Sequence, residues 1–438
     1  MAARLASTDV WSDLRERFDA AMGAFAPYEN GPHLAVAISG GADSTALAIL
    51  ASDWAKERSG TATGLIVDHG LRAESNEEAQ LVRRRLAGLG LSARILEWRD
   101  PKPTTGIQAA ARAARYQLLS DWCHHSSVLH LLAGHHADDQ AETVTMRAAR
   151  QSGADGLAGM SAVVEWQHCR LLRPLLTIAG DDLRAALVTA GVPWIEDPSN
   201  EDLRFERARL RQSGAPSAAN ALPNRTRRAG VVRQGNEQRV RAALARAVHL
   251  HPFGFCEVDL AVLDHETTAA ALAHVVAWVG GRPYLPRPAA VQRLGTRLLD
   301  LAPGRAATLS GCEIRRRRSS LVIVREPSRR APPQPIVPGS GFLWDLRFWV
   351  KMSAKVDSVD GAQVQALGKS GLDCVATRLG RDQVNGVPIA ALAGLPALWR
   401  GKEVLSIPAL AYQSRPHLGF SAIFRPQRTL LSSPFAVA

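Results

Sequence analysis

The sequence has few cysteines, and they lie far apart. Its 438 residues include five of them, at positions 123, 169, 256, 312 and 374, and no two form a Cys-x-x-Cys pair. Zinc ribbons, iron–sulfur clusters and disulfide frameworks need closely or regularly spaced cysteines. The spacing therefore argues against all three kinds of site.

Long apolar runs are also missing. A membrane helix needs about 20 mostly apolar residues, and the sequence contains no uncharged run of that length. The first residues, Met1 to Val10, carry an acid early and have no sustained apolar core, which argues against a signal peptide. We therefore expect a cytoplasmic protein without a membrane segment.

Acidic residues are fewer than basic ones. The sequence has 53 Lys and Arg against 41 Asp and Glu, a formal net charge of +12. A partner that is a polyanion and an arginine-rich proteome both produce such a balance, so the charge favours nucleic acid only modestly. The length predicts two or three domains. No internal repeat or low-complexity tract is present.

The most informative stretch runs from Leu34 to Leu47. An apolar strand ends at Ile38, the turn Ser39-Gly40-Gly41-Ala42-Asp43-Ser44 follows, and an apolar-periodic helix begins. Such a turn collects free backbone N–H groups at the positive end of a helix dipole, which favours a bound phosphate. Glycines let the chain approach an anion closely. An ordinary turn between a strand and a helix is the alternative.

Two better-known phosphate loops are excluded by what this turn lacks. No Gly-Lys-Ser/Thr follows at the Walker spacing. The third glycine of the dinucleotide-binding fingerprint is missing as well. A phosphate site at this turn is therefore of another type.

Strands and helices continue to alternate after the turn. We expect strands at Gly64–His69, Ala93–Trp98 and Val128–Ala133, and helices at Glu74–Gly88, Ile107–Cys123 and Ala137–Arg150. Repeated units of this kind predict an α/β fold with a parallel sheet and helices on both faces. Ligands of such sheets bind at the carboxyl ends of the strands.

Polar residues follow the strands where that rule places a ligand. The segment Asp68 to Arg72 is compatible with reading an adenine edge, with Arg72 near a phosphate, and equally with a solvated turn. Arg112 and Arg115 lie one helical turn apart, so they either share a phosphate or carboxylate or are solvated.

The segment Gly134 to Thr143 holds two histidines and three acids. Asp139 and Glu142 are three residues apart, and Asp138 and Glu142 are four apart, so they share one helical face. Carboxylates there can hold Mg²⁺ or an ammonium group, whereas acids that merely complement a helix dipole are the alternative. The spacing is not that of a His-Glu-x-x-His zinc helix.

Taken together and in order, seven segments resemble the catalytic domain of the tRNA(Ile)-lysidine synthetases, a family of N-type ATP pyrophosphatases with a PP-loop. They are 39–44, 68–72, 111–116, 134–143, 153–160, 173–176 and 196–200. The resemblance implies an adenine nucleotide α-hydrolase-like fold with a parallel, five-stranded type of sheet. It also implies a small helical domain and a small α+β domain after it, with boundaries 1–215, 216–328 and 341–438.

The resemblance implies an activity as well. Enzymes of this family use ATP to join L-lysine to C2 of the wobble cytidine, position 34, in a tRNA(Ile) with a CAU anticodon. The reaction passes through an adenylated cytidine and releases AMP and pyrophosphate. Here the implied substrates are ATP, lysine and that tRNA, with Mg²⁺ as cofactor, and the sequence does not distinguish a monomer from a homodimer.

Residue roles follow by matching motifs. Catalysis is implied for Asp43, Arg112, His135 and Asp139. ATP binding is implied for Ser39, Gly40, Gly41, Ala42, Asp43, Ser44, Val67 and His69. Lysine binding is implied for Arg115, Asp139 and Glu142, and Mg²⁺ binding for Asp43 and Asp138. Contact with tRNA is implied for Arg207, Arg209, Arg211, Arg225, Arg227 and Arg228.

Two positions depart from the family pattern. Gln151 stands where the family usually has glycine, and Ala208 stands where it has asparagine. Three alternatives stay open: a cytidine thiolase of the same loop class, a glutamine-dependent amidating enzyme and a non-catalytic tRNA-binding relative. The first needs paired cysteines and the second a glutaminase-like cysteine segment, and this sequence has neither.

The remainder of the chain is less distinctive. Residues 213–224 and 329–340 have the composition of linkers, and helices are expected near Thr267–Val279 and Pro288–Leu299. Arg315–Arg318 predicts a basic hairpin edge that either contacts phosphate or is solvated. The last ninety or so residues predict short strands with turns. We expect the segment after Pro426 to be poorly ordered.

Overall fold

The computed structural model describes residues 9–438 apart from 72–73, 167, 197–221, 300–304, 356–359, 377, 379–383, 416–417 and 432. These residues form two compact units. The first consists of the described residues up to Glu237 together with Ser433–Ala438, and the second of Gln238–Ser432. Several residues discussed above lie outside the described residues. They are Arg72, residues 197–200, Arg207, Ala208, Arg209 and Arg211.

The first unit alternates helices with strands, as the sequence predicts. In chain order its elements are α1 (Asp9–Ala24), β1 (His33–Ile38), α2 (Ala42–Glu57), β2 (Thr61–Asp68), α3 (Ser75–Gly88), β3 (Ser92–Glu97), α4 (Ile107–His125), β4 (His130–Ala133), α5 (Ala137–Ala149), α6 (Ala154–Leu157), β5 (Val163–Glu165), β6 (Arg170–Leu172) and α7 (Gly180–Ala190). Helix α8 (Leu222–Ala247) follows and contains the division between the units.

The sheet of this unit has the order β3-β2-β1-β4-β6-β5. The five strands β3, β2, β1, β4 and β6 are parallel, and β5 pairs antiparallel with β6. The predicted parallel sheet is therefore confirmed, and the structure adds one antiparallel edge strand.

Helices cover both faces of this sheet. Side chains alternate between the faces along β1, so Leu34 and Val36 join one buried cluster while Ala35 joins another. The first cluster includes residues of α1, α2, α3 and α7, and the second includes Leu119 and Cys123 of α4. This two-sided burial explains why β1 is apolar at nearly every position.

The pairing register places three strand ends at one edge of the sheet. Ile38 pairs with Ile66 two residues before β2 ends, and Ala37 pairs with Ala133 at the end of β4. The residues after β1, β2 and β4 therefore meet there, as ligand-binding residues do in such sheets.

The second unit contains three antiparallel sheets. Its elements are β7 (Val248–His251), β8 (Phe255–Asp259), α9 (His265–Val279), α10 (Pro288–Leu299), β9 (Ala306–Leu309), β10 (Cys312–Arg316), β11 (Ser320–Arg325), β12 (Gln334–Pro335), β13 (Gly341–Trp344), β14 (Phe348–Met352), β15 (Ala362–Ala366), α11 (Gly368–Val375), α12 (Ile389–Leu392), β16 (Pro396–Arg400), β17 (Glu403–Ile407), β18 (Tyr412–Gln413) and β19 (Phe420–Phe424). The sheet orders are β7-β8-β11-β10-β9, β12-β15-β16-β17-β18 and β13-β14-β19.

The segment 216–328 is not purely helical, which corrects the expectation of a small helical domain. The predicted helices are present as α9 and α10, but a five-stranded sheet accompanies them. Strands β7 and β8 have four and five residues, too few for alternation of polar and apolar residues to stand out in the sequence.

Two segments expected to be linkers or poorly ordered are packed. Residue Ile336, inside the stretch 329–340, is buried in the core formed by the C-terminal sheets. Beyond Pro426, Leu430 and Phe435 are both buried. The expectation of poor order after Pro426 was wrong, because these apolar side chains find partners far away in the sequence.

A buried ion network stabilises the second unit. Asp345 accepts hydrogen bonds from Arg325 at 2.8 Å and from Arg347 at 3.0 Å. Arg347 is 1% exposed and also donates to the carbonyl oxygens of Gly254 and Val279. Burial lowers the pKa of Arg347 to about 10, partly offset by the charge of Asp345.

The basic hairpin has the predicted position but is partly engaged within the protein. Arg317 pairs with Glu257 at 2.7 Å, and Arg316 donates to the Leu298 carbonyl at 3.0 Å. Arg315 pairs with Glu313.

Among the described residues, no helix has the length and apolar character needed to span a bilayer.

Candidate active site

The turn after β1 requires its first glycine. Gly40 has φ of +88°, which disfavours any other residue. A Cβ atom there would lie 2.7 Å from a methyl group of Val82. The carbonyl oxygen of Gly40 accepts a hydrogen bond from Ile195 N–H at 2.9 Å, which fixes the turn from the other side.

Helix α2 begins with an uncapped N-terminus. Gly41 is its N-cap residue, and no side-chain cap hydrogen bond is made within the part of the chain that the structure describes. The hydroxyl groups of Ser44 and Thr45 instead donate to the Gly41 carbonyl at 3.0 and 2.9 Å. The first N–H groups of a helix have no acceptor within it, so this end is suited to an anion such as a phosphate group.

The end of β4 lies directly against this turn. A Cβ atom on Gly134 would be 3.3 Å from backbone atoms of both Asp43 and Ser44. A side chain there would force these backbone atoms apart by a few tenths of an ångström, so glycine favours the close approach. It brings the start of α5, with its acids, next to the turn.

His136 joins the two segments, although the sequence motifs imply no role for it. Its Nε2 lies 3.5 Å from Asp43 Oδ2 and 3.6 Å from Asp139 Oδ2, and its Nδ1 lies 3.2 Å from Asp138 Oδ2. His136 is also the N-cap of α5, in a capping box with Asp139. The capping position was the only sequence signal that separated it from its neighbour His135.

The environment of His136 favours its protonated form. Burial acts to lower its pKa, but the hydrogen bond with Asp43 and the charges of Asp139, Asp43 and Asp138 outweigh burial and raise the pKa above its usual value. An imidazolium at this position offsets part of the charge of three neighbouring carboxylates.

The two predicted Mg²⁺ ligands differ in how they are engaged. Asp138 Oδ2 accepts a hydrogen bond from Gly180 N–H at 3.0 Å in addition to its contact with His136. The Oδ1 atom of Asp43 is buried and has no hydrogen-bond partner among the described residues. An unsatisfied buried carboxylate oxygen is costly, so Asp43 fits a cation better than Asp138, whose carboxylate is already hydrogen-bonded. The described residues contain no group of three metal-type ligands.

A second part of the site lies after β2. His69 follows the strand, and its Nε2 lies 3.2 Å from Arg115 Nη2 on α4. Burial lowers the pKa of His69, and the charge of Arg115 lowers it further. The Asp68 carboxylate is engaged within the protein, since its Oδ1 accepts from Gly70 N–H at 2.9 Å and from Ser75 Oγ at 2.6 Å.

The side chains of Arg112 and Arg115 contact different partners. The Arg112 guanidinium lies over the ring of Tyr116 at 4.9 Å, whereas Arg115 turns toward His69. Arg115 is therefore close to a residue predicted to bind ATP. Its predicted contact with lysine stays a prediction.

The remaining predicted residues have the following positions. Glu142 is buried on α5, one turn after Asp139, and His135 is half-buried at the end of β4. Val67 is partly buried at the end of β2. Arg225, Arg227 and Arg228 are exposed on α8.

Comparison with known proteins agrees with this geometry. Residues 14–218 match the family model of the PP-loop domain. The chain is 36% identical over 419 residues to a tRNA(Ile)-lysidine synthase of Ruegeria pomeroyi, covering 93% of this chain and 94% of the relative. It is 36% identical over 415 residues to one of Mesorhizobium japonicum, covering 91% and 87%. The PP-loop match includes the phosphate turn and the acidic start of α5, and the relatives align over nearly their whole length. The chain therefore belongs to the tRNA(Ile)-lysidine synthase family of PP-loop enzymes.

Proposed function

We propose that this protein joins L-lysine to C2 of the wobble cytidine, position 34, in a tRNA(Ile) with a CAU anticodon. In the first step the cytidine O2 attacks the α-phosphorus of ATP, and pyrophosphate leaves. In the second step the ε-amine of lysine attacks C2, the bond from C2 to the adenylated oxygen breaks, and AMP leaves. The names of the family members support the reaction, and the site's geometry supports the assignment of residues.

The phosphates of ATP bind at the turn 39–44 in this proposal. The open N-terminus of α2 and the hydroxyl group of Ser39, 3.2 Å from that of Ser44, supply donors. Such donors stabilise the negative charge on the departing pyrophosphate. The adenine lies by Val67 and His69, at the end of the neighbouring strand β2.

Asp43 is the residue best suited to hold Mg²⁺. Magnesium sites commonly combine one or two carboxylates with substrate phosphates and water. The unpartnered Oδ1 of Asp43 lies at the turn that would bind those phosphates. When bound, the ion would polarise phosphate oxygens. Asp138 contributes less directly, because it already holds His136 and Gly180.

Asp139 and Glu142 bind the lysine ammonium group in this proposal. Both lie at the start of α5, and their carboxylates lie on one helical face. Carboxylates stabilise the protonated amine, yet the amine attacks only after it loses a proton. One of these groups or a neighbour must therefore accept or relay that proton.

The single observation that carries the proposal is the contact of His136 with Asp43 and Asp139. The Nε2 atom of His136 lies 3.5 Å from Asp43 of the phosphate turn. It lies 3.6 Å from Asp139, one of the acids proposed to bind lysine. An enzyme that only hydrolyses ATP has no need for acids in that position.

Exposed arginines at 225, 227 and 228 offer positive charge to a tRNA backbone, and we place the protein in the cytoplasm with that tRNA.

Release of labelled AMP and pyrophosphate tests the proposal. We expect AMP release to require ATP, a CAU-anticodon tRNA(Ile) and lysine together, and to fall to background when any one is omitted. A tRNA(Met) with the same anticodon is the matched control. Release that is independent of tRNA or lysine contradicts the proposal.

A cytidine thiolase is the second candidate, and the structure disfavours it. Cys123 and Cys169 are both buried, 0% and 6% exposed, in the core between α4 and the sheet. The hydrogen bond with Cys169, together with burial, raises the pKa of the Cys123 thiol far above its usual value, which makes it a poor nucleophile.

A further inference from the structure

The segment 433–438 belongs to the first compact unit, although it is separated in sequence from the rest of that unit. Phe435 is 4% exposed, and its N–H group donates to Glu237 Oε2 at 2.6 Å. The guanidinium group of Arg233 lies 4.6 Å from the centre of its ring. Phe435 is thereby anchored on the first part of α8.

Ala436 forms a short two-way pairing with Ser161 and Ala162. Its N–H group donates to Ser161 Oγ at 2.9 Å, and its carbonyl oxygen accepts from Ala162 N–H at 2.9 Å. The residues paired here, Ser161 and Ala436, are 275 positions apart. The N–H and carbonyl groups of Ala436 therefore both bind residues 161 and 162 of the first unit.

The same two residues hold Arg173. The N–H group of Arg173 donates to the Ala162 carbonyl at 2.9 Å, and its Nη1 donates to the Ser161 carbonyl at 2.7 Å. Arg112 and Tyr116 on α4 act electrostatically on the Arg173 guanidinium. Burial and the charge of Arg112 lower its pKa, while Tyr116 acts in the opposite direction. Arg173 is thus held by the same two residues that pair with Ala436.

A second connection runs to the acidic helix. Gln140 follows Asp139 on α5; its Oε1 accepts from Met160 N–H at 2.6 Å and its Nε2 donates to the Met160 carbonyl at 3.1 Å. Arg147, two turns further along α5, donates to the Gly159 carbonyl at 2.7 Å. Residues 159–162 are therefore held by α5 on one side and by Ala436 on the other.

We propose that Phe435 and Ala436 are positioning residues of the active site. By fixing residues 159–162 they hold the start of α5 with Asp139 and Glu142. The inference rests on the proposed function. It assigns an active-site role to a segment whose sequence predicts poor order.

Substitution of Ala436 by proline tests this. Proline removes the N–H group that donates to Ser161 and restricts the backbone of Phe435. Ala438→Pro is the matched control, since Ala438 is exposed and lies beyond the pairing. In a steady-state lysidine assay we expect the KM for lysine to rise about five- to tenfold in Ala436→Pro. The KM for ATP should change less than about twofold, because the turn 39–44 makes none of these contacts.

Hydrogen–deuterium exchange gives a readout that does not depend on activity. Amides of residues 153–163 should exchange about tenfold faster in Ala436→Pro than in the wild type or in Ala438→Pro. Ser161→Ala, which removes only the hydroxyl group, should produce a smaller effect in the same direction and serves if the proline variant does not fold.

The outcomes separate the two proposals. Unchanged exchange, or faster exchange with the same KM for lysine as the control, overturns the positioning role. A wild-type protein that makes no lysidine contradicts the proposed function alone. The exchange experiment then still decides whether Ala436 holds residues 153–163.

Discussion

The Nε2 atom of His136 lies 3.5 Å from Oδ2 of Asp43, across the gap between two different βα connections. Asp43 belongs to the turn after β1, and His136 caps the helix after β4. Because β1 and β4 are neighbours in the sheet, the contact follows directly from the strand order. It makes the acid of the phosphate turn and the acids of α5 parts of one charged cluster.

Removing the carboxylate of Asp43 should abolish adenylation. We expect Asp43→Ala to reduce tRNA-dependent pyrophosphate release at least about a hundredfold, since a ligand for Mg²⁺ and a partner of His136 are both lost. Binding of tRNA, measured by filter retention, should change little. Asp53→Ala on the same helix, which breaks only the partly exposed pair with Arg15, is the control. Unchanged AMP formation in Asp43→Ala removes Asp43 from the mechanism.

Neutralising the acids of α5 should weaken lysine binding selectively. Asp139→Asn and Glu142→Gln should each raise the KM for lysine at least about tenfold, because a charge-assisted contact with the ammonium group is lost. The KM for ATP should change much less. Glu165→Gln, at an exposed position on β5, is the control. Equal effects on both substrates count against a lysine pocket at this place.

The turn should not tolerate a side chain at Gly40. Gly40→Ala and Gly90→Ala both place alanine at a positive φ, +88° and +73°, at a cost of about 1 kcal/mol each. Only at position 40 does the new Cβ atom meet a neighbour, Val82, while position 90 is open. We therefore expect Gly40→Ala to weaken binding of a non-hydrolysable ATP analogue at least tenfold (~1.4 kcal/mol), measured by calorimetry. Equal binding by the two variants contradicts the proposed phosphate turn.

Asp68 should contribute to stability in a pH-dependent way. Burial acts to raise its pKa, but hydrogen bonds from Ser75, Gly70 and Asn76 lower the pKa below the ordinary 3.8. A group whose pKa is lowered on folding stabilises the protein above its unfolded value, and that stability is lost as the pH falls through the lowered pKa. Between pH 5 and 3 the wild type should therefore lose more unfolding free energy than Asp68→Asn.

The control for this experiment is Asp100→Asn, at an exposed position. Its acid profile should follow that of the wild type, measured by urea denaturation at each pH. A profile of Asp68→Asn that coincides with both would show that the hydrogen bonds of Asp68 do not favour its charged form.

The buried ion network of the second unit should be sensitive to loss of its acid. Asp345→Ala leaves Arg325 and Arg347 buried without their common carboxylate, and such a change costs about 3–5 kcal/mol. Glu403→Ala breaks the exposed pair with Arg400 and should cost at most about 1 kcal/mol. Denaturant unfolding of the two variants compares them. Similar losses of unfolding free energy in the two variants would contradict the expected contribution of the buried network to stability.

The parts of the site that lie close together in sequence could be predicted. The phosphate turn and the acids of α5 each occupy fewer than a dozen residues, and their chemistry depends on local backbone geometry. The alternation of strands and helices also predicted the parallel sheet, since a long periodic pattern averages out local exceptions.

What could not be predicted depends on contacts between distant residues. The capping position separates His136 from His135 in the sequence, but its contact with Asp43 depends on β1 and β4 being neighbours. The clash that makes Gly40 necessary comes from Val82, and Ala436 pairs with a residue 275 positions away. The strands of residues 248–259 are too short for their alternation to outweigh the neighbouring helical patterns.

Mass spectrometry of the tRNA product tests the central claim most directly. After incubation of a CAU-anticodon tRNA(Ile) with the protein, ATP and lysine, we expect the wobble cytidine to gain the mass of lysine minus one water. The gain should be absent without ATP and absent with the Asp43→Ala variant. An unmodified cytidine after complete incubation with folded protein, or a modification that forms without lysine, would contradict the account.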